Sequence, residues 1–177
     1  MIRQKGQAIV EFMVVAPLLI LLACAIVDYG LYWDTRIGTA QAARDGARYA
    51  SLYPTRWTSV GGSTPPTAPI PPDTIESTIL TELQGSRATW YNTDQYLHIE
   101  YFDTTNSPYK ECGYYSVSAN GFVAESGYTE ASCVKPGNEV YIELTSTYVP
   151  LTPFASTFLP GNPGGIDVNE AVSMIIE

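Results

Sequence analysis

From Ala8 to Val27 the chain runs for twenty residues with a single charge, Glu11. No other feature restricts its fold as strongly. At 1.5 Å per residue, a helix of that length crosses the roughly 30 Å of hydrocarbon in a bilayer. A secretory signal would have a shorter apolar core, then a small-x-small cleavage pattern and a break in composition. Here the run passes instead into a further helical pattern, which favours a retained membrane helix. Arg3 and Lys5 are the charges before it, whereas from Tyr53 onward fourteen acids stand against four basic residues. A basic head and an acidic body suit a membrane protein whose N-terminus stays cytoplasmic and whose body is outside. They also argue against nucleic acid as a partner, because phosphate contacts need clustered Lys and Arg.

The helix is expected to continue beyond the membrane, since Asp28 to Leu52 contains no proline. Gly38, Ala42, Gly46 and Ala50 recur every fourth position, a stripe that lets another backbone approach closely. Glycine inside a helix costs about 0.5–1 kcal/mol relative to alanine, so two in register suggest a packing reason. Pro17 removes one helical hydrogen bond and should kink the rod. Pro54 ends it, and a Pro/Gly/Ser-rich linker covers 54–72.

The body, 73–177, reads as a short helix followed by strands. Asp73-Thr-Ile-Glu76 has the form of a capping box, and Ile75, Ile79 and Leu83 are spaced for one apolar face over about 74–84. Gly85 is placed to supply a left-handed turn at the end of that helix. The period then falls to two: Leu97, Ile99 and Tyr101; Val140, Ile142 and Leu144; and Ile166, Val168, Val172, Met174 and Ile176, with Glu170 the exception. Asn120-Gly121 predicts a hairpin turn. Cys112 and Cys133 flank that hairpin in an oxidising compartment and are expected to pair, while Cys24 lies within the apolar run. The fold class is therefore α+β: a long N-terminal helix, half transmembrane and half soluble, with a small antiparallel sheet packed on its C-terminal half.

Catalytic chemistry has little support. His98 lies on an alternating strand, where a surface role is the simpler reading, and no G-x-S-x-G, H-E-x-x-H or Walker-type loop is present. Two thiols and one histidine do not supply a metal set, Asp167-Val-Asn169 is too short for a calcium loop, and no cofactor is implied. The chain is not expected to be an enzyme.

Glycine, four residues, glutamate and an aromatic open the membrane helix: Gly6, Gln7 to Val10, Glu11, Phe12. This resembles the leader of type IV pilins and pseudopilins, cut after the glycine by a prepilin peptidase. Together with Pro17-Leu-Leu, Asp28-Tyr-Gly and Ala43-Arg-Asp-Gly-Ala-Arg-Tyr-Ala50, it is similar to the TadE/TadG-like pilus proteins of the Tad (tight adherence) branch. Phe12 stands where tyrosine is usual. The resemblance implies a leader at 1–6, cleavage between Gly6 and Gln7, and a helix over 7–53. It implies assembly through Glu11, Phe12 and Pro17 with other pilin subunits and a Tad-type assembly platform. The subunit would be stored as a single-pass protein of the cytoplasmic membrane and reach the cell surface in an adhesive pilus. In the family Glu11 is held to meet the N-terminus of a neighbouring subunit, which suits the cost of an unpaired carboxylate in hydrocarbon. A signal-anchored extracytoplasmic binding module and a secretion-system pseudopilin are the alternatives.

Overall fold

The computed structural model describes residues 3–60, 69–152 and 165–177, with side chains from residue 9 onward. Helix α1 (Arg3–Leu52) is unbroken over 50 residues, about 75 Å at 1.5 Å per residue, and passes through Pro17. It therefore starts earlier than the expected 7–53, inside the segment read as a leader, and ends just before Pro54.

Its exposure changes character at one residue. Apart from half-buried Ala16 and Cys24, residues 9–27 are exposed; from Asp28 onward a buried stripe begins with Asp28, Thr35, Thr39, Ala42 and Gly46 and reaches Ala50. Those intervals of three, four and seven residues mark one helical face. It packs against α2 (Ile75–Leu83) and against a sheet of β1 (Ala88–Thr89), β2 (Leu97–Asp103), β3 (Lys110–Ser116), β4 (Gly121–Ala124), β5 (Glu139–Tyr148) and β6 (Ile166–Ile175). A one-turn helix, α3 (Glu130–Cys133), follows β4.

Every strand pairing is antiparallel, and β5 is central. Along one edge it pairs with β6 over its whole length, and along the other with β2 and then, at Thr147 and Tyr148, with β1. β3 and β4 extend the β2 side. The expected alternation holds: Leu97, Ile99, Tyr101, Val140, Ile142, Leu144 and Tyr148 are buried toward the helices, and their odd-numbered or even-numbered neighbours are half-exposed. Glu170 shares the inward face of β6, as the sequence pattern indicated, and there meets the Arg36 guanidinium of α1 at 3.3 Å.

Tyrosine serves this core in a specific way. Tyr101, Tyr115 and Tyr148 are buried, and each hydroxyl donates outward: to Pro54 O at 2.7 Å, to Glu130 Oε1 at 2.8 Å and to Asp28 Oδ1 at 3.1 Å. A large ring fills space while its polar tip is satisfied, which a phenylalanine could not do.

Three local expectations are corrected. The N-cap of α2 is Thr74, not Asp73: Thr74 Oγ1 accepts from Ser77 N, and Ser77 Oγ accepts from Thr74 N. Asp73 stands outside the helix at φ 60°. Glu76 is released from the cap and turns inward. Gly85 takes no left-handed backbone, and the helix ends on Gln84 with ordinary right-handed geometry. The start of the predicted linker is docked, with Trp57 stacked on Tyr115 at 4.4 Å and Asn92 Nδ2 donating to Thr58 O and Val60 O at 2.9 Å. Residues 61–68 of that linker lie outside the described residues.

Candidate functional site: an exposed apolar rod and its junction with the body

The first candidate is the rod. Among the described residues one helix is long and apolar enough to cross a membrane, and it is the N-terminal one. Phe12 is 69 % exposed, and Met13, Val14, Leu18 and Ile20 are exposed around the whole circumference. A helix apolar on all sides requires a partner other than water, either lipid or other helices. Glu11 is exposed at the mouth of this stretch, one helical turn beyond Gln7. The backbone of Gly6 and Gln7 is helical, and their side chains lie outside the described residues. Pro17 is exposed and Cys24 half-buried.

The small-residue stripe is used within the chain. A Cβ on Gly46 would come 2.8 Å from Ile79 Cγ1 and 3.7 Å from Ile142 Cδ1, and one on Gly38 would come 2.7 Å from Ser86 Cβ. Ala42 and Ala50 are fully buried on the same face. The close approach expected from the spacing is thus made within the same molecule, by α2 and β5 at Gly46 and by Ser86, in the turn after α2, at Gly38, which accounts for two glycines within a helix.

The junction between rod and body is built around Asp28, 3 % exposed. Its carboxylate accepts from Leu151 N at 2.9 Å, from the Tyr148 hydroxyl at 3.1 Å and from the Thr152 hydroxyl. One acid therefore fixes the chain leaving β5 to the point where α1 stops being exposed. Higher up, Thr39 Oγ1 lies 2.6 Å from Ser146 Oγ, and Arg36 sits 5.3 Å over the Trp33 ring while bonding Glu170. The sequence offers Asp28 as a boundary residue and as part of the Asp28-Tyr-Gly motif; its partners here are more than a hundred positions away.

Cys112 and Cys133 form the expected disulfide, Cα atoms 5.7 Å apart, tying β3 to α3 across the β3–β4 hairpin. Asn120, at φ 50°, turns that hairpin. Asp94 holds its loop, accepting from Val117 N at 2.6 Å, Ser118 N at 3.1 Å and Ser116 Oγ at 3.0 Å. Partial burial opposes its ionisation, but the bonds from Ser118, Val117 and Ser116 outweigh it and hold Asp94 below the usual carboxylate range.

The one strongly perturbed acid is structural in position. Glu76 is buried, its Oε1 accepts from Thr58 N at 3.0 Å, and burial pushes its carboxyl up to about 7. Its Oε2, Trp90 Nε1, Asn92 Oδ1 and Thr93 Oγ1 are buried without hydrogen-bond partners among the described residues. His98 is half-buried on the outer face of β2, opposite Glu143, and Asp167 and Asn169 are exposed on β6. Among the described residues no group of three or more His, Cys, Asp or Glu is placed to hold a metal ion.

Residues 6–48 match the family model of the TadE-like proteins, so the resemblance read at the N-terminus stands over that span. The match takes in the exposed rod, Asp28 and most of the buried stripe, and stops before the β-rich body. No curated protein and no solved structure matches the chain.

Proposed function

From an N-terminal segment that is TadE-like, we propose that the protein is a membrane-stored, leader-processed pilin-like subunit that joins or initiates a Tad-type surface pilus used in adhesion. The observation that carries this reading is the exposed rod. Its apolar side chains face outward around the full helix between residues 9 and 27, while the same helix is packed on its own body beyond Asp28. Such a division suits a subunit that is first solvated by lipid and later by neighbouring helices. Lys5 and Arg3 keep the leader in the cytoplasm.

A prepilin peptidase hydrolyses the Gly6–Gln7 peptide bond and leaves a new α-amino group on Gln7, protonated near neutral pH. In the assembled state Glu11 meets the N-terminus of an adjacent subunit, which pairs both charges in an apolar setting and sets axial register. Phe12 and Pro17 contribute to the same helix–helix packing, and the assembly platform and other pilin subunits are the partners. The role is structural and calls for no catalytic residue or cofactor.

Replacing Glu11 with Ala in the native host tests this. Loss of filaments with unchanged membrane insertion is the expected result. Unchanged filaments and surface behaviour would instead favour a signal-anchored binding module.

A further inference from the structure

We propose that the outer end of the membrane helix carries an interfacial collar, formed by Tyr29 and Trp33 of α1 and by Val149 and Leu151 of the segment after β5, that seats the body on the lipid surface. This rests on the reading of residues 8–27 as the membrane span.

The first support is exposure in an unexpected place. Tyr29 is 62 % exposed, Trp33 40 %, Val149 54 % and Leu151 58 %, although all four belong to the packed half of the molecule. The second is level. Tyr29 lies two positions beyond Val27 and Trp33 six, about 3 and 9 Å along the axis. Helical side chains lean toward the N-terminus, here toward the membrane. Both rings therefore fall at or beside the headgroup layer, which is roughly 5–7 Å deep on each side.

Asp28 brings the second element to the same level. Because its carboxylate accepts the Leu151 amide at 2.9 Å and the Tyr148 and Thr152 hydroxyls, Val149 and Leu151 cannot lie far above the membrane boundary. The same bonds turn the acid inward and bury it, so the charge at the boundary is not presented to lipid.

Lipid, and not another protein, is the occupant because Tyr29 and Trp33 continue the membrane-facing surface of the rod without interruption. Leu22 and Ile26 on the exposed rod lead directly to Tyr29 and Trp33 on the same flank, which also stand edge-to-face with centroids 6.1 Å apart. Tyr and Trp have an apolar body and a polar tip and concentrate at this depth. One turn further Ile37 is also exposed, and beside it Arg36 lies 5.3 Å over the Trp33 ring and bonds Glu170, so that an ion pair enters the surface at this level.

Spin labels on the full chain in lipid bilayers test the collar by their relative accessibility to oxygen, which partitions into lipid, and to a water-soluble nickel chelate. Native Cys24 supplies the depth marker, since Cys112 and Cys133 are joined. In a Cys24→Ala background, Leu151→Cys and Tyr29→Cys report the collar. Lys135→Cys is the control: it is exposed near Gly137, which bonds Ile176, beside the Glu177 amide that meets Ser51 at the far end of α1.

The expected result is oxygen preference at 24, 29 and 151, deepest at 24, with chelate preference at 135. If position 24 is deep while 151 is as open to chelate as 135, the span stands and the collar is wrong. If 24 itself is open to chelate, the membrane reading fails and the collar with it. A label at 151 shut off from both reagents means that protein covers the patch, and this too overturns the proposal.

Discussion

Replacing Glu76 with Gln removes an ionisation that the fold opposes while keeping the oxygen that the Thr58 amide needs. The side chain is 1 % exposed, and burial raises its carboxyl from 4.5 to about 7, with the Thr58 N–H offsetting part of that effect. Because the folded-state value is the higher one, the native chain binds more protons than the unfolded chain between about pH 4.5 and 7. Stability from this group is fully present below pH 4.5 and is lost as pH rises through about 7. The gap between the two values corresponds to about 3 kcal/mol. For a chain of this size that is roughly 6–12 °C in Tm. Thermal melts of the full chain in detergent micelles, followed by near-ultraviolet circular dichroism, give the comparison. The wild type and Glu76→Gln should melt together near pH 4.5, diverge as pH rises to about 7 and keep a constant gap beyond it, the variant being the more stable. Asp94 cannot imitate this slope: its carboxyl is held low, so its contribution is lost as pH falls, not as it rises. Curves that stay parallel from pH 4.5 to 8 would refute the placement of Glu76 as a buried, proton-binding acid.

Other perturbations probe the packing and the junction. Gly46→Val places a branched side chain where even a Cβ meets Ile79 Cγ1 at 2.8 Å, and should destabilise the body by about 1–3 kcal/mol of overpacking, read by urea unfolding. Cys112→Ser opens the loop to Cys133, 21 positions away, and should cost about 3 kcal/mol, with reductant reproducing the loss in the wild type and leaving the variant unchanged. Asp28→Ala takes the carboxylate from the Leu151 amide and the Thr152 hydroxyl and leaves Tyr148 only the residue-28 carbonyl; limited proteolysis should then cut after β5 faster than in the wild type while leaving the β3–β4 hairpin intact.

What could be read from the chain was whatever repeats locally. The period of two in Leu97–Tyr101, Val140–Leu144 and Ile166–Ile176 located three long strands, because each buries one face against the helices. Even Glu170, which breaks the apolar pattern, stays in register; the reason, Arg36, is 134 positions away and no local rule reaches it. Around α2 two capping frames compete, Asp73 with Glu76 and Thr74 with Ser77. The second forms because Glu76 is drawn inside to meet Thr58, a tertiary contact that overrides the stronger-looking motif. The four-residue spacing of Gly38, Ala42, Gly46 and Ala50 announced a close approach but not its partner, which is Ile79 and Ser86 of the same molecule. Trp57 stands among Pro- and Gly-rich neighbours that mark a linker, yet an aromatic stack on Tyr115 docks it. At the candidate site the order is reversed. Gly6, Gln7 and Glu11 are legible only as a spacing in the sequence, and the structure adds that Glu11 opens a stretch of helix exposed on every side.

The central claim is that the chain is processed between Gly6 and Gln7 before it assembles. Intact-mass and N-terminal peptide analysis of the protein recovered from the membranes and surface fraction of its native host measures this directly. The account predicts a chain that begins at Gln7, lacking the six residues before it. A surface-located chain that still begins at Met1 would contradict it.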